Sequence, residues 1–199
     1  NMGTVKSLLL GMCFVLGACT SQTSTVQTTE KGTQWEWQNG TIVVKTPERP
    51  AGQKSVLGLT TPKLEAVRVG FVGLGMRGPG AVERFTYIPG TQVVALCDYE
   101  EARADKCQEL LKKASMPKAA VYSGDKGYEE LCKRDDIDLV YVAADWLHHF
   151  PVAKCALENG KNVAIEVPSA MNLQECWDLI NLSESTRKHC FILENCCYD

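Results

Sequence analysis

Basic charge is in short supply: 21 Lys and Arg stand against 24 Asp and Glu, a formal net charge of −3. A mildly acidic chain gives nucleic acid no electrostatic footing, so no nucleic-acid partner is expected. After residue 20 no apolar run is long enough to cross a bilayer as a helix. No internal repeat is visible, which removes solenoid and propeller architectures. The ten cysteines include no C-x-x-C pair and, with three histidines, no cluster at zinc spacing, so no metal site is expected. Most cysteines fall inside expected strands and helices, where a free thiol acts as a small apolar side chain. What remains, 199 residues of which 45% are apolar, suffices for one domain with a full core and a tail.

The centre of the sequence is Val67-Arg68-Val69-Gly70-Phe71-Val72-Gly73-Leu74-Gly75-Met76-Arg77-Gly78. A β-branched apolar run enters G-x-G-x-x-G, and a helix-like stretch follows. This is the opening of a dinucleotide-binding unit. Gly73 permits the tight turn, Gly75 lets a pyrophosphate approach the backbone, and Gly78 lets the helix pack on the strand. The helix N-terminus then offers free N–H groups and partial positive charge to phosphates. A second apolar strand, Gln92-Val93-Val94-Ala95-Leu96-Cys97, ends in Asp98. An acid about 20 residues past the fingerprint is placed to accept both adenosine-ribose hydroxyls and to repel a 2′-phosphate, which favours NAD over NADP. The competing reading is a structural glycine turn with a solvated aspartate.

The N-terminus reads as a targeting segment. Lys6 is a positive n-region, and the apolar run over 7–16 is too short for an ordinary spanning helix. It closes on Leu16-Gly17-Ala18-Cys19, which resembles a bacterial lipobox. That implies residues 1–19 as a lipoprotein signal, a lipid on Cys19, and export to the periplasm or cell surface with the chain anchored to the membrane. An ordinary signal peptide with a chance cysteine is the alternative. Residues 20–33, rich in Ser, Thr and Gln, read as a flexible tether. Residues 34–45 alternate around Asn39-Gly40, a hairpin signal. Trp35 and Trp37 either attach this extension to the domain, the favoured reading, or form a sugar platform. Residues 46–64, with three prolines, are an extended connector.

From Val67 the pattern is strand, helix, strand, repeated. Helices are predicted over 80–87, 100–114, 128–134 and 149–159, and from a cap at Asn172, paired with Glu175, to about Arg187. Gly160 closes the fourth helix. The later strands are predicted over 119–122, 138–143, 162–167 and 190–193. Six strands with intervening helices give an α/β fold: a doubly wound parallel sheet of the Rossmann kind, in order 3-2-1-4-5-6, over 65–199, behind the signal, tether and hairpin extension.

Ligands in such sheets bind beyond the C-terminal strand ends. Those ends carry Asp98, then Ala143-Ala144-Asp145-Trp146-Leu147-His148-His149, then Glu166-Val167-Pro168, then Glu194-Asn195-Cys196-Cys197-Tyr198. Together they resemble the N-terminal half of the glucose–fructose oxidoreductase/inositol dehydrogenase (Gfo/Idh/MocA) family. That family usually has Glu-Lys-Pro after the fifth strand; here it is Glu-Val-Pro, without the lysine important in the dehydrogenase branch. With Gln53-Lys54-Ser55-Val56-Leu57-Gly58-Leu59, Gly73 through Gly78, Trp146 through His149 and Leu193 through Tyr198, the chain more narrowly resembles glycosyl hydrolase family 109. These are NAD-dependent glycosidases typified by α-N-acetylgalactosaminidase. Trp146 and His149 match that family's Trp-Glu-Trp-His pattern, whereas Leu147 and His148 depart from it.

The resemblance implies that Gly73, Leu74, Gly75, Met76, Arg77, Gly78, Asp98, Trp146, Leu147, His148, His149, Glu166, Val167 and Asn195 form the NAD site, His148 having no role of its own. Glu166 is a candidate base as well, and Tyr198 a candidate substrate contact or a residue packed against a second domain. The implied chemistry is oxidation at sugar C3, elimination of the aglycone, addition of water and return of the hydride. It dispenses with the paired carboxylates of ordinary glycosidases. Family members continue into a second domain that supplies most substrate contacts, so the stretch ending at Asp199 is expected to hold cofactor but to be inactive alone. Self-association into a homo-oligomer is left open. An ordinary NAD-dependent sugar or polyol dehydrogenase, and a non-catalytic NAD-binding fragment, are the alternatives.

Overall fold

The computed structural model describes residues 34–197 and the backbone of Gln27 and Thr28. The signal, Cys19, most of the tether and Tyr198 lie outside the described residues. The chain forms two compact units, one to Lys45 and one from Thr46.

In the first unit, strands β1 (Gln27–Thr28), β2 (Gln34–Gln38) and β3 (Thr41–Val44) form an antiparallel sheet. Asn39 (φ 50) and Gly40 (φ 80) both take positive φ, as a type I′ turn requires. Trp35 pairs with Val44 and Trp37 with Ile42, aromatic on β-branched. Gln27 and Thr28 were read as tether; they add a short strand because β2 has a free edge whose backbone groups need partners.

The second unit holds β4 (Val67–Val72), α1 (Gly78–Phe85), β5 (Thr91–Asp98), α2 (Glu101–Lys113), β6 (Ala120–Ser123) and α3 (Gly127–Cys132). It continues with β7 (Leu139–Val142), α4 (Trp146–Glu158), β8 (Asn162–Ile165), α5 (Leu173–Thr186), β9 (Cys190–Ile192) and a 3-10 turn at Asn195–Cys197. The six strands pair in parallel in the order β6-β5-β4-β7-β8-β9, the expected 3-2-1-4-5-6. Alternate side chains build a core on each face. Val72, Val140, Val142 and Ile165 pack with Leu131, Val152 and Leu157 of α3 and α4. Val69, Phe71, Leu96 and Tyr141 pack with Val82, Cys107 and Leu111 of α1 and α2. Each large side chain fully removed from water contributes about 1.5–3 kcal/mol, which lets a helix as short as α3 persist.

Helix ends follow local chemistry. α4 starts at Trp146, three residues before the expected His149, because Asp145 caps it by accepting the Leu147 N–H at 3.0 Å. Pro151 inside α4 removes the donor that Leu147 C=O would use, and Leu147 is exposed, so water can substitute. Gly160 (φ 72) ends the helix: its N–H reaches Leu157 O at 2.9 Å and the Lys161 N–H reaches Ala156 O at 2.9 Å. Asn172 accepts from the Glu175 N–H at 3.0 Å, while the Glu175 carboxylate takes the Met171 N–H rather than that of Asn172. The connector is strapped to α5. Arg49 donates twice to Glu184, at 2.8 and 3.0 Å, and Arg187 donates to the carbonyls of Lys54 and Ser55.

Candidate functional site

The C-terminal strand ends open onto a cleft of about 940 Å³. Its centre is the turn between β4 and α1. Gly73 has φ 92, and a Cβ there would lie 2.3 Å from Ala144 N, inside the backbone leaving β7. A Cβ on Gly78 would lie 2.1 Å from Gly73 O. These two glycines are demanded by the protein itself. Gly75 is not: its φ is ordinary, and the nearest atom to its Cβ position is Arg103 Nη1 at 3.6 Å. Its bareness leaves backbone open to the cleft, as a pyrophosphate requires. α1 begins beside it with no side-chain cap, so its first N–H groups remain available to phosphate.

Asp98, at the end of β5, is buried, and its carboxylate ties the turn down. Oδ2 accepts the Leu74 N–H at 2.6 Å and Oδ1 accepts the Glu100 N–H at 2.9 Å. Arg103 Nη1 stands 3.4 Å from Oδ1 and its Nη2 donates to Glu100 at 2.9 Å. A carboxylate has about four lone-pair sites, and these three donors leave about one for a ribose hydroxyl. The neighbouring Cys97 thiol is pushed up to about 12 by burial and then by Asp98, and stays a neutral packing group.

Beyond β7, Trp146 and Leu147 are exposed on the first turn of α4. His148 Nδ1 lies 2.6 Å from Asp145 Oδ2. Burial works against ionisation of Asp145, but the His148 ring and the N–H groups of Leu147 and His148 outweigh it and hold the carboxyl below its usual range. His149 is buried, with Nδ1 2.7 Å from Pro168 O and Nε2 2.9 Å from Ala144 O. The ring thus braces the β7–α4 turn against the loop after β8, and both nitrogens face backbone rather than cleft.

Glu166, after β8, is buried and accepts the Tyr141 hydroxyl on Oε1 at 2.9 Å. Its Oε2 lies 3.6 Å from Arg77 Nη2. Val167 follows, partly exposed at the cleft, with a cis peptide bond to Pro168.

Of the residues expected at the cofactor, Gly73, Gly75, Met76, Arg77, Asp98, Trp146, Leu147, His148, His149, Glu166 and Val167 line this cleft. Leu74 and Gly78 are buried beneath it, while Asn195 is exposed in the terminal 3-10 turn and does not line it. Tyr198 lies outside the described residues. The sequence reading missed Arg103 and Tyr128, which also line the cleft. Arg103 was findable, as a cation in the first turn of the helix after Asp98.

A parallel 3-2-1-4-5-6 sheet with a glycine cradle at its switch point and an acid at the second strand end defines a dinucleotide-binding domain. The Gfo/Idh/MocA family model, described as an oxidoreductase family with an NAD-binding Rossmann fold, matches residues 67–193. The chain belongs to that family, and its cofactor is NAD. Glycosyl hydrolase family 109 protein 4 of Phocaeicola vulgatus is 80% identical over 199 residues, which are 100% of this chain and 39% of that protein. The chain therefore spans about two fifths of the length of such relatives. Among solved structures, myo-inositol dehydrogenase from Lactobacillus casei, in complex with NAD(H) and myo-inositol, aligns with a TM-score of 0.53 at 26% identity. It covers 60% of this chain and 34% of its own. Biliverdin reductase from Synechocystis, in complex with biliverdin and NADP+, aligns with a TM-score of 0.54 at 26% identity over 63% of this chain and 37% of its own. The family is one of NAD-dependent glycosidases and oxidoreductases.

Proposed function

We propose that this chain is the NAD-binding part of a glycosidase acting on N-acetylgalactosaminides or related glycosides. The observation that carries the reading is Val167. It stands in the cleft next to Glu166, where dehydrogenases of the family place a lysine, and an alkyl side chain can neither donate nor accept a proton. The identity with family 109 proteins over the whole chain supports the same branch.

The residues divide the cofactor between them. Asp98 holds the adenosine ribose, and the open backbone at Gly75 with the α1 N-terminus holds the pyrophosphate. Arg77 adds positive charge beside it, and Glu166 accepts from the nicotinamide ribose or serves as the base. NAD, when bound, supplies a reversible hydride acceptor for sugar C3, so that elimination and water addition proceed without net redox change. Tyr198 is a substrate contact in this reading.

The test is the full-length gene product with α- and β-linked N-acetylgalactosaminides in deuterated water. One anomer should be cleaved, with deuterium at sugar C2 and no NADH build-up. Stoichiometric NADH without aglycone release would mark a dehydrogenase instead.

A further inference from the structure

The cleft wall explains where Glu166 is, but not what keeps it there. Tyr141 lies in β7 opposite Phe71 of β4 and Ala164 of β8. Side chains alternate along a strand, so Tyr141, Ala164 and Glu166 fall on one face of the sheet. The Tyr141 ring cannot choose its direction. It stacks on Phe71 at 5.1 Å and 28°, and meets Phe85 of α1 edge-on at 5.7 Å and 85°. Phe71 and Phe85 themselves meet edge-on at 5.2 Å. The ring is buried and lines no part of the cleft. Its hydroxyl emerges from this aromatic wedge at one point and donates to Glu166 Oε1 at 2.9 Å.

The sheet order gives the contact its meaning. Asp98 is on the β5 side of the phosphate turn and Glu166 is on the β8 side, so a dinucleotide crossing the switch point puts its nicotinamide half at Glu166. One carboxylate oxygen is committed to Tyr141; the other lies beside Arg77, from the phosphate turn. We propose that Tyr141 is the positioning residue of this cleft: its hydroxyl fixes one oxygen of Glu166 so that the other is presented to the nicotinamide ribose. The proposal rests on the NAD site described above and adds the residue behind its wall. A buried hydrogen bond to a carboxylate is strong enough to select one rotamer of a flexible side chain.

Tyr141→Phe keeps the ring wedge and removes only the hydroxyl. Calorimetric titration of the chain with NAD should show affinity falling about tenfold, the scale of one hydrogen bond to a charged group. In a Glu166→Ala background the same change should have no further effect. Unchanged affinity for Tyr141→Phe, or an equal loss in both backgrounds, would overturn the proposal, the latter marking general packing. A second readout needs no cofactor. Burial, and then Glu166, push the Tyr141 phenol up to about 12, while Arg84 pulls it down. Carbon NMR of ring-labelled tyrosine should show Tyr141 titrating above exposed tyrosines, and Glu166→Ala should move it down towards them. An unmoved Tyr141 signal in Glu166→Ala sinks the proposal even if NAD binds. If the wild-type chain fails to bind NAD, the cofactor reading fails, and the phenol titration alone decides whether Tyr141 holds Glu166.

Discussion

Asp98 carries two loads. It holds the phosphate turn through the Leu74 N–H and anchors the start of α2 through the Glu100 N–H, both while facing the cofactor cleft. Asp98→Ala should therefore cost fold stability and NAD affinity together, roughly 1–3 kcal/mol in binding. Calorimetry with both cofactors, beside a thermal melt, separates the two. Wild type should bind NAD more tightly than NADP, because a 2′-phosphate would meet this carboxylate; equal or tighter NADP binding would refute that. Arg103 tempers the repulsion without removing it, since its guanidinium is shared with Glu100. At this scale the sequence was partly legible. The places of Gly73, Gly75 and Asp98 at the cleft were readable because they are set by neighbours a few residues away or by a fixed fold geometry. Tyr141 was not. It looks like any aromatic in a buried strand, and its partner is 25 residues distant. His149 was read as a cofactor ligand, and only the three-dimensional loop geometry shows its nitrogens meeting Ala144 O and Pro168 O.

Elements are joined at their starts as well as along their faces. Asp138, just before β7, accepts the Arg68 backbone N–H and Nε on Oδ2, both at 2.9 Å, and Arg68 Nη2 on Oδ1 at 2.7 Å. This clamp sets β7 against β4 at the end of the sheet opposite the cleft. The Arg68 hydrogen bond holds the Asp138 carboxyl below its usual range, although burial opposes it. A carboxyl whose folded value is depressed stabilises the fold above its unfolded value of about 3.9, and that contribution is lost as pH falls through the folded value. Asp138→Asn should thus melt at a lower temperature than wild type at pH ~7, with the gap shrinking at pH ~3, below the unfolded value, where protonation of the unfolded chain begins to erase the difference. A gap of equal size at both would assign the effect to geometry rather than charge. Strand order and helix identity were legible from periodicity and glycine or proline punctuation, because a doubly wound sheet leaves few ways to bury alternating faces. Boundaries were less so: α4 begins at Trp146 because Asp145 captures an N–H, a choice that Pro151 obscures in the sequence.

At the scale of the whole molecule, the described residues gather the glycine turn, Asp98 and Glu166 around one cleft at the C-terminal strand ends. Met76, Trp146, Leu147, Val167 and Met171 are exposed apolar side chains around the cleft mouth. Such a rim can cover a nicotinamide, but a glycoside needs polar groups fixed around several hydroxyls before its C3 and C2 are held in reacting positions. The chain also corresponds to 39% of the length of a relative with which it shares 80% identity. We predict that the 199-residue chain binds NAD in calorimetry yet releases no aglycone from α- or β-linked N-acetylgalactosaminides. Joining the chain to the second domain of its longer relatives should bring cleavage without changing NAD affinity by more than about threefold, since the residues proposed to hold the adenosine and pyrophosphate all belong to this chain. Cleavage by the 199-residue chain itself would place the sugar site among the strand ends described here. A large gain in NAD affinity on adding the second domain would show that the cradle is completed from outside this sheet.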